Sequence, residues 1–172
     1  MKNIYLCGFM GCGKTSVAKI ISKKLKLKLI DTDIEIQKAK NMNIFEIFQK
    51  HGEQYFRNLE TEILKDLQNS SDYVISTGGG TLLGHPENAN LARSSGNVVF
   101  LKTSFETCWE RIKNSQRPLI FKKTMSDIKR LYDEREKKYQ RIASVCLIND
   151  KSSSFCAKKL ICMIKKGIFC NF

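Results

Sequence analysis

The stretch "GFMGCGKT", residues 8–15, directly follows the apolar run "NIYLC" and precedes a segment in which apolar residues recur at helical spacing. It matches the pattern G-x-x-x-x-G-K-[ST] at Gly8, Gly13, Lys14 and Thr15, with Gly11 as a further glycine inside it. Glycines allow backbone amides to surround phosphate oxygens, the lysine neutralises the β- and γ-phosphates, and the hydroxyl suits Mg²⁺. A strand before the motif and a helix after it are the context that such a loop requires. We therefore predict a nucleotide-phosphate loop here rather than a plain glycine turn.

Apolar runs of strand length alternate with segments of helical periodicity along the rest of the chain. The predicted strands are "NIYLC", "LKLI", "YVIST", "NVVFL" and "ASVCLI", and the predicted helices cover residues 14–25, 43–67 with a break near Gly52, 104–114, 125–142 and 155–164. This alternation favours βαβ units and a mainly parallel sheet. The prediction is a single α/β domain over residues 1–172, a three-layer sandwich whose five-stranded sheet carries helices on both faces.

Two further polar stretches directly follow predicted strands: "DTD" at 31–33 and "TGGG" at 77–80. Ligands of parallel sheets bind beyond the carboxyl ends of the strands, so both stretches are expected beside the phosphate loop. Asp31 and Asp33 then divide two roles, one supporting Mg²⁺ and the other accepting a hydrogen bond from a substrate hydroxyl. The competing interpretation is that "DTDIE" only caps a helix, and the two interpretations are compatible.

Arginines provide candidate anion sites, since the planar guanidinium matches a carboxylate or a phosphate better than a lysine does. Arg57, Arg117 and Arg135 are the main candidates among seven arginines. For each of them alone, a surface ion pair is the competing interpretation. At Arg57 the partner would be Glu60, three residues on, in a pair worth a few tenths of a kcal/mol.

Composition limits the remaining possibilities. The 172 residues carry a net charge of +13, but the basic residues are spread along the chain, which favours solvated helix faces over a nucleic-acid surface. Seven cysteines without a C-x-x-C pair predict reduced thiols, with neither a zinc site nor a disulfide framework. No apolar run approaches the ~18 residues of a membrane span, and the start of the chain lacks a secretory leader. We expect a soluble cytoplasmic monomer that binds small molecules, without a nucleic-acid or membrane partner.

The order and spacing of five motifs resemble those of the shikimate kinases, in the nucleoside-monophosphate-kinase-like group of phosphate-loop folds. The motifs are "GFMGCGKT", "DTD", "GEQYFRNLE", "STGGG" and "RPL", and the resemblance runs from about Lys2 to Leu147. It implies transfer of the γ-phosphate of ATP to the 3-hydroxyl of shikimate, on the route to chorismate and the aromatic amino acids. Two alternatives are a kinase of another small hydroxy-acid such as gluconate, and a catalytically inactive nucleotide-binding regulator.

The resemblance also implies a role for each matching residue. Lys14 and Thr15 handle phosphate and Mg²⁺, and Asp31 supports the metal. Asp33 holds the substrate hydroxyls and is the candidate base. The implied nucleotide site comprises Gly8, Gly11, Cys12, Gly13, Lys14, Thr15, Ser16, Arg111 and Arg117, with Arg111 flanking the adenine.

On the acceptor side, Arg57 and Arg135 hold the shikimate carboxylate, and Gly79 and Gly80 supply backbone donors. Arg117 approaches the phosphate in transit from a mobile lid over about residues 112–125, and the substrate-binding helices cover about residues 33–62. After the fifth strand, members of the family commonly have an aspartate or threonine and a nearby proline that packs on adenine, whereas this chain has "LINDKSSSFC" without a proline. The adenine contacts there stay open, Cys12 has no specific role, and the basic tail is predicted to form a final amphipathic helix.

Overall fold

A computed structural model describes residues 1–115, 117–121 and 123–167. Its sheet has five strands in the order β2-β3-β1-β4-β5, and all of its pairings are parallel. The strands are β1 Asn3–Cys7, β2 Lys28–Asp31, β3 Tyr73–Ser76, β4 Gly96–Lys102 and β5 Val145–Ile148. The predicted α/β class and the five-stranded sheet are therefore confirmed, and the sheet is wholly rather than mainly parallel in the part of the chain described.

Helices connect the strands and lie on both faces of the sheet. They are α1 Lys14–Leu25, α2 Thr32–Lys40, α3 Ile44–Asp66, α4 Thr81–Gly84, α5 Asn88–Ser95, α6 Phe105–Ile112, α7 Met125–Ile142 and α8 Ser153–Lys165. A 3₁₀ turn at Leu67–Asn69 follows α3. The predicted break at Gly52 is present, because that residue has φ 82° within α3.

The segment predicted to hold the substrate-binding helices, about residues 33–62, includes most of α2, whose apolar periodicity is weak because it buries only Thr32 and Ile36. Two other helices, α4 and α5, lie outside the segments predicted to be helical. They have four and eight residues, and they follow the "GGG" and "HPE" stretches that favour turns. Short helices of this kind are stabilised by their packing rather than by their own propensity.

The core has two layers, one on each face of the sheet. Along β1, Ile4 and Leu6 join the cluster formed with α1, α6 and α8, while Tyr5 and Cys7 join the cluster formed with α3, α5 and α7. A central parallel strand is buried on both faces, so alternate residues serve different clusters. The arrangement confirms the predicted three layers, and it directs the carboxyl ends of all five strands to one edge.

Two further findings concern the described residues in general. No helix among residues 1–115, 117–121 and 123–167 combines the length and apolar content needed to cross a membrane. The six cysteines in these ranges are free thiols, and Cys170 lies outside them.

Candidate active site

A cleft of about 860 Å³ lies at the carboxyl edge of the sheet. Most of the predicted site residues line it: Gly11, Gly13, Lys14, Thr15, Ser16, Asp31, Asp33, Arg57, Gly79, Gly80, Arg111, Arg117 and Arg135. Gly8 and Cys12 belong to the loop but do not line the cleft, and both are buried. The parallel topology thus brings together residues that are more than a hundred positions apart in the chain.

The phosphate loop depends on its glycines for a physical reason. Gly8, Gly11 and Gly13 have φ of 143°, 81° and 94°, values that side chains of L-residues rarely adopt. Space is equally restrictive, since a Cβ on Gly8 would lie 2.6 Å from the carbonyl oxygen of Leu101. The loop then enters α1 at Lys14, so the amides at the start of that helix point toward the cleft.

Lys14 is buried at the base of the loop. Its Nζ donates to the carbonyl oxygens of Gly8 at 2.8 Å and Phe9 at 3.0 Å, and lies 3.6 Å from Sγ of Cys12. The structure therefore shows a packing role for Cys12, for which the sequence indicated no specific role. Its thiol packs in the core under the loop, and its carbonyl accepts from Nδ2 of Asn149 at 2.7 Å.

Thr15, Asp31 and Ser76 form a cluster of oxygen ligands beside the loop. Oγ1 of Thr15 donates to Oδ2 of Asp31 at 2.7 Å and lies 3.1 Å from Oγ of Ser76. Ser76 was not predicted, although its position at the end of β3, next to the glycines, was a usable signal. Among the described residues no group of three or more Asp, Glu, His or Cys side chains could hold a metal by itself. The cluster suits a hard cation that takes its other ligands from phosphate and water, as Mg²⁺ commonly does.

Arg57 forms a buried charge network rather than the surface pair considered from the sequence. Nη1 lies 2.6 Å from Oε2 of Glu60, and Nη2 lies 2.7 Å from Oε1 of Glu53. The side chains of Arg57 and Glu60 are 8% and 0% exposed, so the surface interpretation of this pair is wrong. Burial opposes the charge on Arg57, but the two carboxylates outweigh it and raise the pKa. Spacing identified Glu60 as a partner, but only the fold shows that it belongs to the site.

The triple glycine makes room for this network. A Cβ on Gly80 would lie 2.5 Å from Nη1 of Arg57, and one on Gly84 would lie 2.7 Å from its Cδ. A Cβ on Gly78 would lie 2.5 Å from Oδ1 of Asp33 and 2.8 Å from Oε1 of Glu60. Since these distances exclude side chains, the glycines allow the guanidinium and two carboxylates to pack directly against backbone.

Asp33 is an acid of the cleft with a raised pKa. Its Oδ1 is inaccessible to solvent and has no hydrogen-bond partner among the described residues. The pKa of Asp33 is raised to about 6, chiefly by burial and further by the charges of Glu60 and Asp31, while Lys14 and Arg117 act in the opposite direction. A carboxylate with such a pKa is ionised at neutral pH and can take up a proton.

Arg135 reaches the cleft from α7. Its Nη1 donates to the carbonyl oxygen of Gly79 at 3.3 Å, and the hydroxyl of Tyr139 donates to the same oxygen. The guanidinium of Arg111 donates to the carbonyl oxygen of Gly11 at 2.9 Å, at the end of the cleft where Ser153 begins α8. This is the end at which the resemblance places the adenine.

The predicted lid joins α6 to α7. Within it Arg117 lines the cleft, Ile120 is buried in the core, and the ring of Phe121 lies 5.6 Å from that of Phe45 at the start of α3. Gln116 and Lys122 lie outside the described residues. The motion of the lid therefore stays a prediction.

Known proteins share both the sequence and this architecture. A family model described as shikimate kinase matches residues 10–165. The chain belongs to the shikimate kinase family. One member, the shikimate kinase of Sulfurihydrogenibium sp. (strain YO3AOP1), is 40% identical over 167 residues, which make up 96% of this chain and 99% of that protein.

Solved structures of shikimate kinases agree with the fold. The enzyme from Aquifex aeolicus is 38% identical, with a TM-score of 0.85, and the match covers 96% of this chain and 98% of that one. The Acinetobacter baumannii enzyme in complex with shikimate is 30% identical, with a TM-score of 0.91 and coverage of 97% and 94%. As a member of the shikimate kinase family, the chain is an ATP-dependent phosphotransferase.

Replacing Asp33 by asparagine should stabilise the protein near neutral pH. The native pKa of about 6 exceeds the ordinary value of 3.8, so the unfolded chain ionises first as pH rises. Ionised Asp33 therefore lowers the free energy of unfolding by on the order of 2–3 kcal/mol above about pH 6, and the amide avoids this loss. Urea unfolding at a series of pH values measures the effect.

The stabilisation by Asp33→Asn should disappear near pH 4, where the carboxyl group is protonated in the native state. Asp66→Asn, the same change at an exposed acid of α3, is the matched control and should leave the free energy of unfolding at neutral pH within about 0.5 kcal/mol of the wild type. An Asp33→Asn protein no more stable than the wild type at neutral pH would contradict the raised pKa of Asp33.

Proposed function

We propose that this chain transfers the γ-phosphate of ATP to the 3-hydroxyl of shikimate, giving ADP and shikimate 3-phosphate. The observation that carries the proposal is the position of Arg57 and Arg135 in the same cleft as Asp33 and the phosphate loop. Two guanidinium groups suit a carboxylate, and a carboxylate suits the hydroxyls of a polyol. A small polyol that carries a carboxylate would bind both to the two guanidinium groups and to Asp33.

ATP binds with its phosphates at the loop in this proposal. The glycine backbone and the first turn of α1 provide amide donors, and Lys14 provides a positive charge next to the β- and γ-phosphates. Arg111 and Ser153 lie at the adenine end. An arginine face beside a base is a favourable stacking surface, and it supports adenine binding where the family's proline is missing.

Thr15 and Asp31 would hold Mg²⁺, with Ser76 next to them. These residues suit Mg²⁺ because their oxygen atoms are close together at the start of α1. Oγ1 of Thr15 lies 2.7 Å from Oδ2 of Asp31 and 3.1 Å from Oγ of Ser76. When bound, Mg²⁺ neutralises part of the phosphate charge and orients the β- and γ-phosphates. Few protein ligands are needed, because phosphate oxygens and water complete the coordination of such an ion.

Shikimate binds at the other end of the cleft, with its carboxylate on Arg57 and Arg135. The buried pair with Glu60 orients Arg57, since the Nη1 contact at 2.6 Å fixes the plane of the guanidinium. Backbone groups of Gly79 and Gly80 adjoin the same region. Asp33 then accepts hydrogen bonds from the ring hydroxyls, and its acidity near neutral pH suits that role.

Phosphoryl transfer requires mainly positioning and charge neutralisation. The 3-hydroxyl oxygen forms a bond to the γ-phosphorus while the bond from that phosphorus to the β,γ-bridging oxygen breaks, and ADP leaves. The hydroxyl proton passes to the carboxylate of Asp33. Lys14 and Arg117 stabilise the negative charge on the transferred group. Closure of the lid would exclude water, so that ATP is not hydrolysed without an acceptor.

We also propose a cytoplasmic location and a monomeric state. Free thiols at the six described cysteines support a reducing compartment. The monomer is a prediction that size-exclusion chromatography with light scattering would test.

Coupled ADP release tests the proposed function. With Mg-ATP, the purified protein should release ADP at a high rate when shikimate is added and at a low rate without it, and gluconate should not replace shikimate. Turnover with gluconate but not shikimate would support the other hydroxy-acid kinase. ATP binding without transfer to any acceptor would support an inactive regulator, and either result would contradict the proposal.

Replacement of Gly80 by alanine should weaken shikimate binding selectively. The new Cβ would lie 2.5 Å from Nη1 of Arg57 and would displace the guanidinium from its place beside Glu60. We expect the KM for shikimate to rise by at least about tenfold, since loss of one charge-assisted contact costs about 1.5–3 kcal/mol. The KM for ATP is the internal control and should change less than about threefold. An unchanged shikimate KM would show that Arg57 does not bind the substrate in this orientation.

A further inference from the structure

Nearly all of the protein's net charge comes from the two ends of the chain. Residues 1–30 contain seven lysines and no acid, and residues 151–172 contain five lysines and no acid. Residues 31–150 contain eighteen basic and seventeen acidic residues, a net charge of +1 out of the total of +13. The charge is therefore segregated, although lysines occur throughout the sequence.

The fold places these two ends side by side. The α1 and α8 helices pack against each other, and their apolar residues, including Val17, Ile21 and Leu160, join the same core cluster. The opposite sides of these helices and the residues that follow them carry the lysines. This lysine face comprises Lys19, Lys23, Lys24, Lys26, Lys158, Lys159, Lys165 and Lys166, all of them exposed.

Some lysines on or next to other helices of the same protein pair with acids. Lys38 bonds Glu35 on α2, Lys113 bonds Glu110 next to α6, and Lys129 bonds Asp133 on α7. No lysine of the lysine face has an ion pair with any residue in the described ranges 1–115, 117–121 and 123–167. Helices α2, α3, α6 and α7 contain acidic as well as basic residues, whereas α1 and α8 contain lysines and no acid, so the surface of α1 and α8 differs from theirs.

One acidic residue lies close to the segment that follows α1. Asp72 lies near Lys28, just beyond α1, and is bonded to the amino group of Met1 at 2.6 Å. Several like charges on one surface repel each other, which opposes folding at low salt. A surface that carries only positive charges attracts polyanions, so binding of a polyanion is a function that this surface can serve.

The side chains on this surface favour one class of polyanion. A membrane surface would require large apolar side chains among the lysines, but α1 has none exposed and α8 has only Phe155, at its first turn. A stable protein interface would require an apolar or aromatic centre, which the exposed side chains of α1 and α8 do not provide. The phosphates of a nucleic-acid duplex require neither apolar nor aromatic side chains. Lysines alone can therefore bind them.

We propose that the lysine face of α1 and α8 binds the phosphate backbone of double-stranded nucleic acid without sequence preference. The expectation of no nucleic-acid partner rested on basic residues spread along the sequence, but the fold brings eight of the 30 lysines and arginines onto two helices that pack side by side. The site is separate from the cleft, since none of these lysines lines it. At 1.5 Å per residue, Lys23 and Lys165 lie about 13 Å and about 18 Å along their helices from Lys14 and Ser153 at the cleft.

Fluorescence anisotropy with a labelled DNA duplex of about 20 bp tests this proposal, with saturating ADP to occupy the phosphate loop. Affinity should be independent of sequence, and its logarithm should fall linearly with the logarithm of salt between about 50 and about 200 mM. Lys158→Glu/Lys159→Glu should weaken binding at least about tenfold and reduce the salt slope by about 2. Lys65→Glu/Lys137→Glu makes the same charge change on α3 and α7 and should stay within about twofold of the wild type.

Both double variants should keep the wild-type kinase rate and melting temperature, since neither pair lies in the cleft. Equal weakening by the two variants would overturn the proposal, because binding would then follow net charge alone. Failure of the wild type to bind the duplex would also overturn it. Binding to vesicles of anionic lipid but not to the duplex would assign the surface to a membrane instead. These outcomes are independent of shikimate turnover, so the proposed kinase activity is not at issue in them.

Discussion

The ion pair between Arg57 and Glu60 is the interaction on which the acceptor half of the cleft depends. Taking both charges out of water costs several kcal/mol, and only close contact with hydrogen bonds on both partners offsets that cost. The contact at 2.6 Å, a second carboxylate from Glu53 and the hydroxyl of Thr81 meet this condition. The network also requires glycine at positions 78 and 80, because side chains there would overlap it.

The same network sets the chemistry of Asp33. Oε1 of Glu60 and Oδ1 of Asp33 both lie close to Gly78. The two carboxyl groups therefore share one poorly solvated region. The pKa of Asp33 rises to about 6 as a result, chiefly through burial. A structural ion pair on α3 thus prepares the acid that meets the substrate hydroxyl, while Lys14 and Thr15 handle phosphate a short distance away. Stability near neutral pH is given up for a carboxylate that can accept a proton.

Local patterns in the sequence predicted the parts of the site that are determined locally. The loop motif and the ends of β2 and β3 depend on residue type and spacing, and α1 and β1 have the predicted bounds. The burial of Glu60, the contact of Ser76 with Thr15 and the place of Cys12 depend on packing between distant segments, which spacing does not reveal. The lysine face is a similar case, since its two halves lie more than a hundred residues apart in the chain.

The pKa of Asp33 in the free protein is the most direct test of this account, measured from the carboxyl carbon by NMR as pH is varied. We expect a pKa of about 6 in the wild type, and a lower value in Glu60→Gln because the charge of Glu60 adds to the effect of burial. A wild-type value near the ordinary 3.8 would contradict it. In that case Asp33 would be a well-solvated carboxylate, and neither its coupling to the buried pair nor its proposed role in proton transfer would hold.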